Sequence, residues 1–332
     1  MTIKIYDCSN SEEKTSHRSV SLGPKQNDVM KGLAKYAYKF GCKFVTNYND
    51  ADVIMTNDIY PSYILSLDKP KVKRMDGVYW TNKLKDRNES LNLAARQSDY
   101  VIFISEYSRQ SYRRLYEKEA STKGIGISFV ILNDVDNELF YPRQWRYFRK
   151  EPIIWTCCAS NWEREEKRFN DLMVFVEEAS AISKRNLTLN IIGKCDIDIN
   201  KYFKNIPPVN VNLFGYIEEY SECLRMSDAF VNLSYRDPAP KVVCQAVNCG
   251  LPILYANSGG TPDLVKYGIG IKDPCDFVFE EKTPSLKPEN ILKSYCKFIE
   301  CYGDIFYAAQ NVNRNSYMNM LSEYFAVIKR CA

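Results

Sequence analysis

The sequence contains a single histidine in 332 residues, and this scarcity removes several kinds of active site. A Ser-His-Asp triad needs a histidine base, and a zinc site of the histidine type needs imidazole ligands. His17 is the only candidate for either role. We therefore expect any catalysis to depend on carboxylates, amides, cations and backbone groups.

Long apolar runs are also missing. No stretch reaches the ~20 apolar residues that a membrane-spanning helix needs, and the start MTIKIYDCSN has no apolar core after its charges. The 12 cysteines include no CxxC pair and several lie within apolar runs, so we expect reduced thiols. These features predict a soluble, cytoplasmic protein.

A strong excess of charge of either sign is absent as well. Lys and Arg total 45 against 41 Asp and Glu, which gives a net charge of +4. This balance does not indicate a nucleic-acid partner, although it permits local attraction to phosphates. The hydrophobic fraction of 45% can form a substantial core, and the length indicates two domains.

Strand and helix patterns alternate along the whole chain. The predicted strands of the first part are TIKIYDC, ADVIMTN, PKVKRM, YVIFIS and SFVILND. Helical patterns such as QNDVMKGLAKYAYKFG separate them. A second series begins at the strand IIWTCCAS and includes predicted helices over 165–183 and 217–228 and the strand AFVNLS. This alternation predicts two α/β domains with parallel, doubly wound sheets, which bind ligands at the carboxyl ends of their strands.

The basic and aromatic connector RQWRYFRKEP separates the two series, so we place the domain boundary near residues 142–152. We assign 1–145 to an N-terminal Rossmann-like domain and 146–310 to a C-terminal Rossmann-like domain. Residues 311–332 form a separate C-terminal helix. The cleft between the domains is the expected ligand site.

The stretch DPAPKVVCQAVNCG combines an acidic loop residue with the start of a helix. Pro240 suits the first turn, where its missing N–H costs nothing. The N–H groups around Ala239, Lys241 and Val242 would bind an anion such as a diphosphate, with Lys241 adding charge. Asp237 would repel a phosphate and fits better as an acceptor for sugar hydroxyls, or it merely favours the helix N-terminus.

The longer segment FVNLSYRDPAPKVVCQAVNCGLPILYANSGGTPDLV resembles the signature of family 4 retaining glycosyltransferases of GT-B fold (glycosyl transferases group 1). Further segments match in the family's order: SLGPKQND, RMDGVYW, SNWEREEKRFNDL and GYIEEYSECLRMSD. The resemblance implies two doubly wound Rossmann-like domains that face a central cleft, with 1–145 on the acceptor side and 146–310 binding the nucleotide sugar. It also implies that the C-terminal helix crosses back onto the N-terminal domain.

The resemblance assigns roles to residues on the donor side. Asp237 would hold hydroxyls of the donor sugar, and Gln245 would hold the nucleotide ribose at a position where the family usually has glutamate. Lys167 would bind the leaving diphosphate, and Arg164 would substitute for the family's arginine. The segment that passes beside the nucleotide base contains Tyr216 and Ile217.

On the acceptor side, Asp76 in RMDGVYW lies where one branch of the family carries Asp instead of histidine. Gly23, in the loop after the first strand, is assigned to donor and nucleotide binding. The resemblance implies metal-independent, retaining transfer of a hexosyl unit. The donor would be a UDP- or GDP-sugar, and the acceptor would be a glycan, a glycolipid or another hydroxyl compound. Asp76 would orient sugar and acceptor, and a covalent role for it stays open.

Several alternatives accompany this interpretation. The triplets DVD at 134–136 and DID at 196–198 imitate a metal-binding Asp-x-Asp motif, but cations at the phosphates make a metal unnecessary. A dehydrogenase is disfavoured, because GIGISF leads into a strand and YGIGIKDP leads toward proline. A catalytically weakened nucleotide-sugar-binding or scaffold protein stays open, because Gln245 lacks the usual charge. Peripheral membrane contact through WRYFRK also stays open.

Overall fold

The fold is given by a computed structural model. The structure describes residues 2–9, 28–117, 125–144, 148, 154–183, 187–199, 202, 210–273, 277–311 and 315–332. The chain forms two compact units. The first comprises Met1–Asn133, Phe277–Phe279 and Ser316–Ala332, and the second comprises Asp134–Asp276 and Glu280–Asn315. The predicted ranges 1–145 and 146–310 differ from this division in two respects. They place the boundary after residue 145 instead of after Asn133, and they assign 277–279 to the second domain.

The first unit is built on a parallel sheet that has six strands in the described part of the chain. The strands are β1 (Ile3–Asp7), β2 (Cys42–Phe44), β3 (Val53–Thr56), β4 (Lys71–Met75), β5 (Tyr100–Phe103) and β6 (Ile127–Val130). Their order in the sheet is β2-β1-β3-β4-β5-β6. The helices between them are α1 (Asp28–Tyr36), α2 (Ser62–Leu65), α3 (Lys85–Arg96) and α4 (Glu106–Tyr116).

The second unit repeats this design, again with a six-stranded parallel sheet in its described residues. Its strands are β7 (Ile154–Asn161), β8 (Thr188–Lys194), β9 (Asn210–Gly215), β10 (Ala229–Asn232), β11 (Ile253–Ala256) and β12 (Gly268–Ile271). Their order is β12-β11-β10-β7-β8-β9. The helices are α5 (Phe169–Ile182), α6 (Ser221–Met226), α7 (Lys241–Asn248), α8 (Thr261–Leu264) and α9 (Pro288–Ala309).

The last helix, α10 (Ser316–Cys331), belongs to the first unit. Its apolar face buries Leu321 and Phe325 in the same core as Ile5 and Val53 of the first sheet. The ring of Phe325 also stacks on Phe40, with 4.7 Å between the ring centroids. Burying a large apolar side chain contributes about 1.5–3 kcal/mol, so this helix is a main part of the first unit's core.

Strands at the centre of each sheet are buried on both faces, as expected where helices cover a parallel sheet. Every residue of β3 and of β10 is buried. In the second unit, Trp155 of β7 packs against Phe175 of α5 and Phe298 of α9, with centroid distances of 5.1 Å to each ring. These apolar strands are the elements that the sequence pattern predicts most clearly.

The prediction of two parallel, doubly wound α/β sheets is confirmed, and four local predictions need correction. The three-residue strand β2 and the glycine-rich strand β12 were not predicted, because neither has an apolar run. The helix predicted over 165–183 is interrupted: a short 3₁₀ helix, Glu165–Lys167, is followed by Arg168 in the left-handed region, and α5 begins after it. The helix predicted over 217–228 is reduced to α6.

Each sheet contains one point at which the strand order reverses. In the first sheet it lies between β1 and β3, and in the second it lies between β7 and β10. Loops that leave the carboxyl ends of two such strands run in opposite directions and leave a crevice between them. The fold therefore indicates where a ligand site of each unit is expected.

Candidate functional site

The reversal point of the second sheet brings together two segments that the sequence predicted for the site. Strands β7 and β10 are direct neighbours, with Trp155 opposite Ala229. Beyond β7 the chain forms the short helix Glu165–Lys167, and beyond β10 it forms the loop that precedes α7. The backbone N–H of Tyr235 donates to the carbonyl of Glu166 over 2.8 Å, which joins the two loops.

Lys167 and Asp237 form an ion pair at this position. The Nζ atom of Lys167 donates to Oδ2 of Asp237 over 2.8 Å. The side chains are 12% and 22% exposed, so both groups are partly desolvated but still accessible. A cation suited to a phosphate and a carboxylate suited to sugar hydroxyls thus lie side by side.

A glycine loop after β11 fixes the backbone of Asp237. Gly259 has a φ of 63°, and a Cβ atom at this position would lie 2.3 Å from the carbonyl oxygen of Asp237. The N–H of Gly260 donates to the same oxygen over 2.9 Å, and the N–H of Arg236 donates to Ser258 Oγ over 2.9 Å. Only glycine combines the left-handed conformation with so close an approach, which explains the first glycine of NSGG, Gly259.

Helix α7 begins directly after Asp237-Pro-Ala-Pro. Pro240 has φ −64° and ψ 112°, so it precedes the first turn instead of belonging to it, which corrects the prediction. Ala239 is buried, while Lys241 and Val242 are partly exposed at the helix start. The first-turn N–H groups of any α-helix lack intrahelical acceptors and face outward along the axis. This end of α7 has the form of an anion-binding helix start.

Gln245 lies one turn further along α7 and is buried. Its Oε1 atom accepts a hydrogen bond from the hydroxyl of Tyr220, whose pKa is raised by burial, so the phenol stays protonated and can donate. Tyr220 follows the loop that contains the exposed Tyr216 and the partly exposed Ile217. The structure thereby ties the predicted base-binding segment to the predicted ribose-binding residue.

Arg164 differs from the other donor-side candidates in its surroundings. Its guanidinium pairs with the carboxylate of Glu166, and its side chain is 54% exposed. The structure thus brings Lys167 to Asp237, whereas Arg164 stays on the surface of the same short segment. Gly23, the remaining predicted binding residue, lies outside the described residues.

The acceptor-side candidate Asp76 follows β4 in the first unit. Oδ1 of Asp76 accepts from Nη1 of Arg74 over 2.5 Å. The Arg74 guanidinium is buried and also donates to the Tyr324 hydroxyl over 3.2 Å and to Asn133 Oδ1 over 3.0 Å. The Asp76 carbonyl accepts from Ser108 Oγ over 2.8 Å. Both the backbone and the carboxylate of Asp76 are therefore held in place.

The two acidic triplets have other partners in the structure. Asp134 Oδ1 accepts from Asn248 Nδ2 over 2.7 Å, and Asp196 pairs with Lys194 over 2.8 Å. Among the described residues, no group of three or more His, Cys, Asp and Glu side chains has a metal-binding arrangement. No helix in the described ranges is both long enough and apolar enough to cross a membrane.

Some residues around the site were not predicted. Tyr220 lies in a segment that the sequence analysis selected, but nothing in the sequence indicates its bond to Gln245, 25 positions away. Arg168 lies in a stretch of charged residues that gives no sign of burial, yet its side chain is buried. The burial of Arg168 depends on its ion-pair partner, Asp273, which lies 105 positions away, so no local pattern in the sequence could indicate it.

Comparison with known proteins identifies the class. Residues 156–289 match the family model described as Glycosyl transferases group 1. The matched part of the chain contains Lys167, Asp237 and Gln245. No curated protein sequence is significantly similar to the chain.

Solved structures are similar in fold over almost the whole chain. A glycosyltransferase from Rickettsia africae ESF-5 has a TM-score of 0.68 and 13% identity, covering 99% of this chain and 98% of that one. Anabaena Alr3699/HepE in complex with UDP has a TM-score of 0.64 and 13% identity, covering 99% and 100%. Sucrose-phosphate synthase from Thermosynechococcus elongatus has a TM-score of 0.60 and 15% identity, covering 93% and 80%.

These comparisons confirm the predicted resemblance and the GT-B fold class with two doubly wound domains. They also confirm, at the level of the family, that the chain is an enzyme of the glycosyltransferase class. At such low identity the solved structures establish the fold. The reaction, the donor and the acceptor are therefore argued from the residues of this chain.

Proposed function

We propose that the chain is a retaining glycosyltransferase that moves a hexosyl unit from a UDP- or GDP-sugar to a hydroxyl acceptor. The acceptor class is a glycan, a glycolipid or another hydroxyl compound. The observation that carries the proposal is the Lys167–Asp237 ion pair at the strand reversal of the second sheet. The pair also lies within the residues that match the family model.

The proposed chemistry concentrates negative charge on the donor's diphosphate. As the bond from the anomeric carbon to the phosphate oxygen breaks, positive charge grows on the carbon and negative charge on the leaving group. Lys167, Lys241 and the N–H groups at the start of α7 would stabilise that anion. Arg164 would add a third cation by exchanging Glu166 for a phosphate oxygen.

Donor binding would exchange one ionic contact for two new ones. The Lys167 ammonium would move from the Asp237 carboxylate to a phosphate oxygen, and Asp237 would accept hydrogen bonds from sugar hydroxyls. This exchange is favoured because each charged group keeps a charged or polar partner while water is displaced. The two side chains are in contact over 2.8 Å, which supports the proposal that they bind adjacent parts of one ligand.

The nucleotide would bind beside the donor diphosphate, on the segment around Gln245. The Gln245 amide would hydrogen-bond the ribose, and Tyr216 and Ile217 would contact the base. An amide can both donate to and accept from a diol, but it lacks the charge of a carboxylate. The UDP complex of HepE, which has the same fold, supports a nucleoside diphosphate as the ligand of this domain.

Asp76 would orient the sugar and the acceptor. Retention would follow from attack on the same face: the acceptor oxygen bonds to the anomeric carbon as the phosphate leaves, and the acceptor's proton passes to a phosphate oxygen. The short contact with Arg74 favours an orienting role for Asp76, because a carboxylate already bound to a guanidinium is a poor nucleophile. Gly23 would contribute to binding of the donor nucleotide.

Metal independence and a cytoplasmic location belong to the same proposal. The cations Lys167 and Lys241 supply the charge that a divalent metal would supply at a diphosphate. Free, buried thiols such as Cys157 and Cys244 are of the kind that a reducing compartment preserves. Unchanged turnover in excess chelator is expected, and full loss of turnover there would overturn the metal-free mechanism.

The deciding experiment is a screen of nucleotide sugars for hydrolysis and for protection against heat. One UDP- or GDP-sugar should raise the melting temperature and release free nucleotide, and Lys167→Met should strongly slow the release. Protection without any release or transfer would instead favour a nucleotide-sugar-binding scaffold. The neutral Gln245, bonded to Tyr220, is the observation that keeps this second function in consideration.

A further inference from the structure

Two arginines with unusual backbone conformations lie directly beside the ion pair of the candidate site. Arg168 has a φ of 53° and Arg236 has a φ of 52°, and among the described residues these are the non-glycine positions with positive φ. Arg168 follows Lys167, and Arg236 precedes Asp237. A left-handed conformation is unfavourable for a residue with a Cβ atom, and it persists only where surrounding contacts enforce it.

The contacts of Arg168 are extensive enough to enforce its conformation. Nη1 and Nη2 donate to the two carboxylate oxygens of Asp273, over 2.7 and 3.1 Å, and Nε donates to the carbonyl of Pro284 over 2.9 Å. The side chain is only 2% exposed. A bidentate pair with a third donor bonded leaves the guanidinium little rotational freedom, and its charge is neutralised locally.

Arg236 is held in a comparable way on the neighbouring loop. Its Nη1 lies 3.4 Å from Glu280 Oε2, and Glu280 Oε1 accepts from the Tyr235 hydroxyl over 3.1 Å. The ring of Tyr235 is a partner common to both arginines: the Arg168 and Arg236 guanidinium carbons lie 4.5 and 4.7 Å from its centroid. Cation–π contact with a buried ring adds attraction to both.

We infer that Arg168, Tyr235 and Arg236, which we call the tyrosine clamp, are positioning residues for the donor's diphosphate. The clamp fixes the backbone next to Lys167 and next to Asp237, so that the ammonium and the carboxylate keep a set separation. Asp273 and Glu280 neutralise the two arginines, so Lys167 is the cation that the clamp presents to a phosphate. This inference rests on the proposed function of Lys167 and Asp237.

The first test separates the backbone of Arg168 from its side chain. Arg168→Gly removes the guanidinium but accepts the left-handed conformation, whereas Arg168→Ala removes the guanidinium and resists it. UDP and GDP are titrated into the wild-type protein by calorimetry, and the nucleotide that binds is compared with its own nucleoside. The diphosphate should bind roughly 10- to 100-fold more weakly to Arg168→Ala, with a smaller loss for Arg168→Gly, because small displacements weaken oriented contacts strongly.

The nucleoside distinguishes positioning from general damage. A variant that only unfolds part of the protein weakens nucleoside and diphosphate binding alike, since both need the folded domain. A variant that displaces Lys167 weakens the diphosphate and leaves the nucleoside unchanged. Tyr235→Phe and Tyr235→Leu extend the comparison: the phenylalanine keeps the ring and should lose less diphosphate affinity than the leucine, which removes the cation–π partner.

A double variant tests whether the clamp acts through Lys167. If it does, Lys167→Met with Arg168→Gly should bind the diphosphate as weakly as Lys167→Met alone, since contacts in one network are not additive. Full additivity, or equal losses of nucleoside and diphosphate, would overturn the clamp while leaving the proposed function intact. A wild-type protein that binds neither nucleotide would overturn the proposed function and the clamp together.

Discussion

The ammonium of Lys167 lies 2.8 Å from the carboxylate of Asp237, although the two residues are 70 positions apart in the chain. Their proximity follows from the sheet: β7 and β10 are neighbours, and the loops after these strands meet at the reversal of strand order. The backbone bond from Tyr235 to Glu166 and the packing of Gly259 on Asp237 then fix the two loops. The candidate site is thus a direct product of the topology.

Replacing Lys167 by methionine should lower kcat/KM for the donor by roughly 10²–10³, because one charged group that stabilises a developing anion is lost. Steady-state kinetics with the donor found in the screen would measure this change. Lys293→Met, which alters an exposed lysine on α9, is the matched control and should retain full activity. Full activity in Lys167→Met would show that the ion pair is not part of the donor site.

Gly259→Ala should damage the fold around Asp237. The added Cβ atom would lie 2.3 Å from the Asp237 carbonyl oxygen, and the φ of 63° is unfavourable for alanine. We expect a loss of about 2–4 kcal/mol in the free energy of unfolding of the second unit, from steric overlap and backbone strain together. Gly41→Ala separates these causes, because Gly41 has a φ of 66° and nothing within 4 Å of its Cβ position. Equal losses in the two variants, each measured by hydrogen exchange in its own unit, would exclude the overlap.

Gln245→Glu should strengthen donor binding if Gln245 contacts the ribose. A carboxylate accepts hydrogen bonds roughly twice as strongly as a neutral amide, so we expect a fall of about 3- to 10-fold in the donor KM. The Tyr220 hydroxyl, which donates to the present side chain, can donate equally to the glutamate. Gln245→Leu should raise the donor KM. A rise of the KM in both variants would argue that Gln245 supports Tyr220 and does not touch the nucleotide.

Lys73 in β4 gives the first unit a defined dependence on pH. Burial lowers the pKa of Lys73 from 10.5 to about 8, against the opposing effects of Asp76 and Asp58, and its Nζ donates only to the carbonyl of Arg74 in the described contacts. Between pH 8 and 10.5 the unfolded chain therefore binds more protons at this lysine than the folded chain. Lys73 therefore destabilises the folded first unit most below pH 8. This destabilisation becomes smaller as the pH rises from 8 to 10.5.

Lys73→Met should accordingly stabilise the first unit by about 1–3 kcal/mol at pH 7, and this gain should shrink as the pH rises from 8 to 10.5. Amide hydrogen exchange of the first sheet at both ends of the range would measure the difference. Ionisation of buried thiols in the same unit, such as Cys42, whose pKa burial raises, destabilises both proteins at high pH and therefore cancels in the comparison. Lys71→Met is the control: it removes bonds to the Leu67 and Lys69 carbonyls and should destabilise.

The sequence predicted the elements whose signals are local. Apolar runs such as VIMT and AFVN became fully buried strands, and the glycines of NSGG took the tight turn that their type suggests. Lys167 and Asp237 were both selected, but their direct contact was not, because it depends on which strands are neighbours. Tyr220 and Arg168 were missed for the same reason. Their hydrogen-bond partners lie far along the chain, and residue spacing in the sequence does not indicate such long-range bonds.

The position of α10 has a consequence for the order in which the protein acquires its structure during synthesis. The first unit needs Leu321 and Phe325 in its core, and these residues follow the whole second unit in the chain. We expect the second unit to fold first, because the core of the N-terminal sheet is incomplete until α10 has been synthesised. The contact between this sheet and α10 is long-range in sequence, so its formation is expected to be slow. A chain ending at residue 315 should accordingly resist proteolysis only in its later half, and resistance throughout would refute this order. The residues made first would then be among the last to become native.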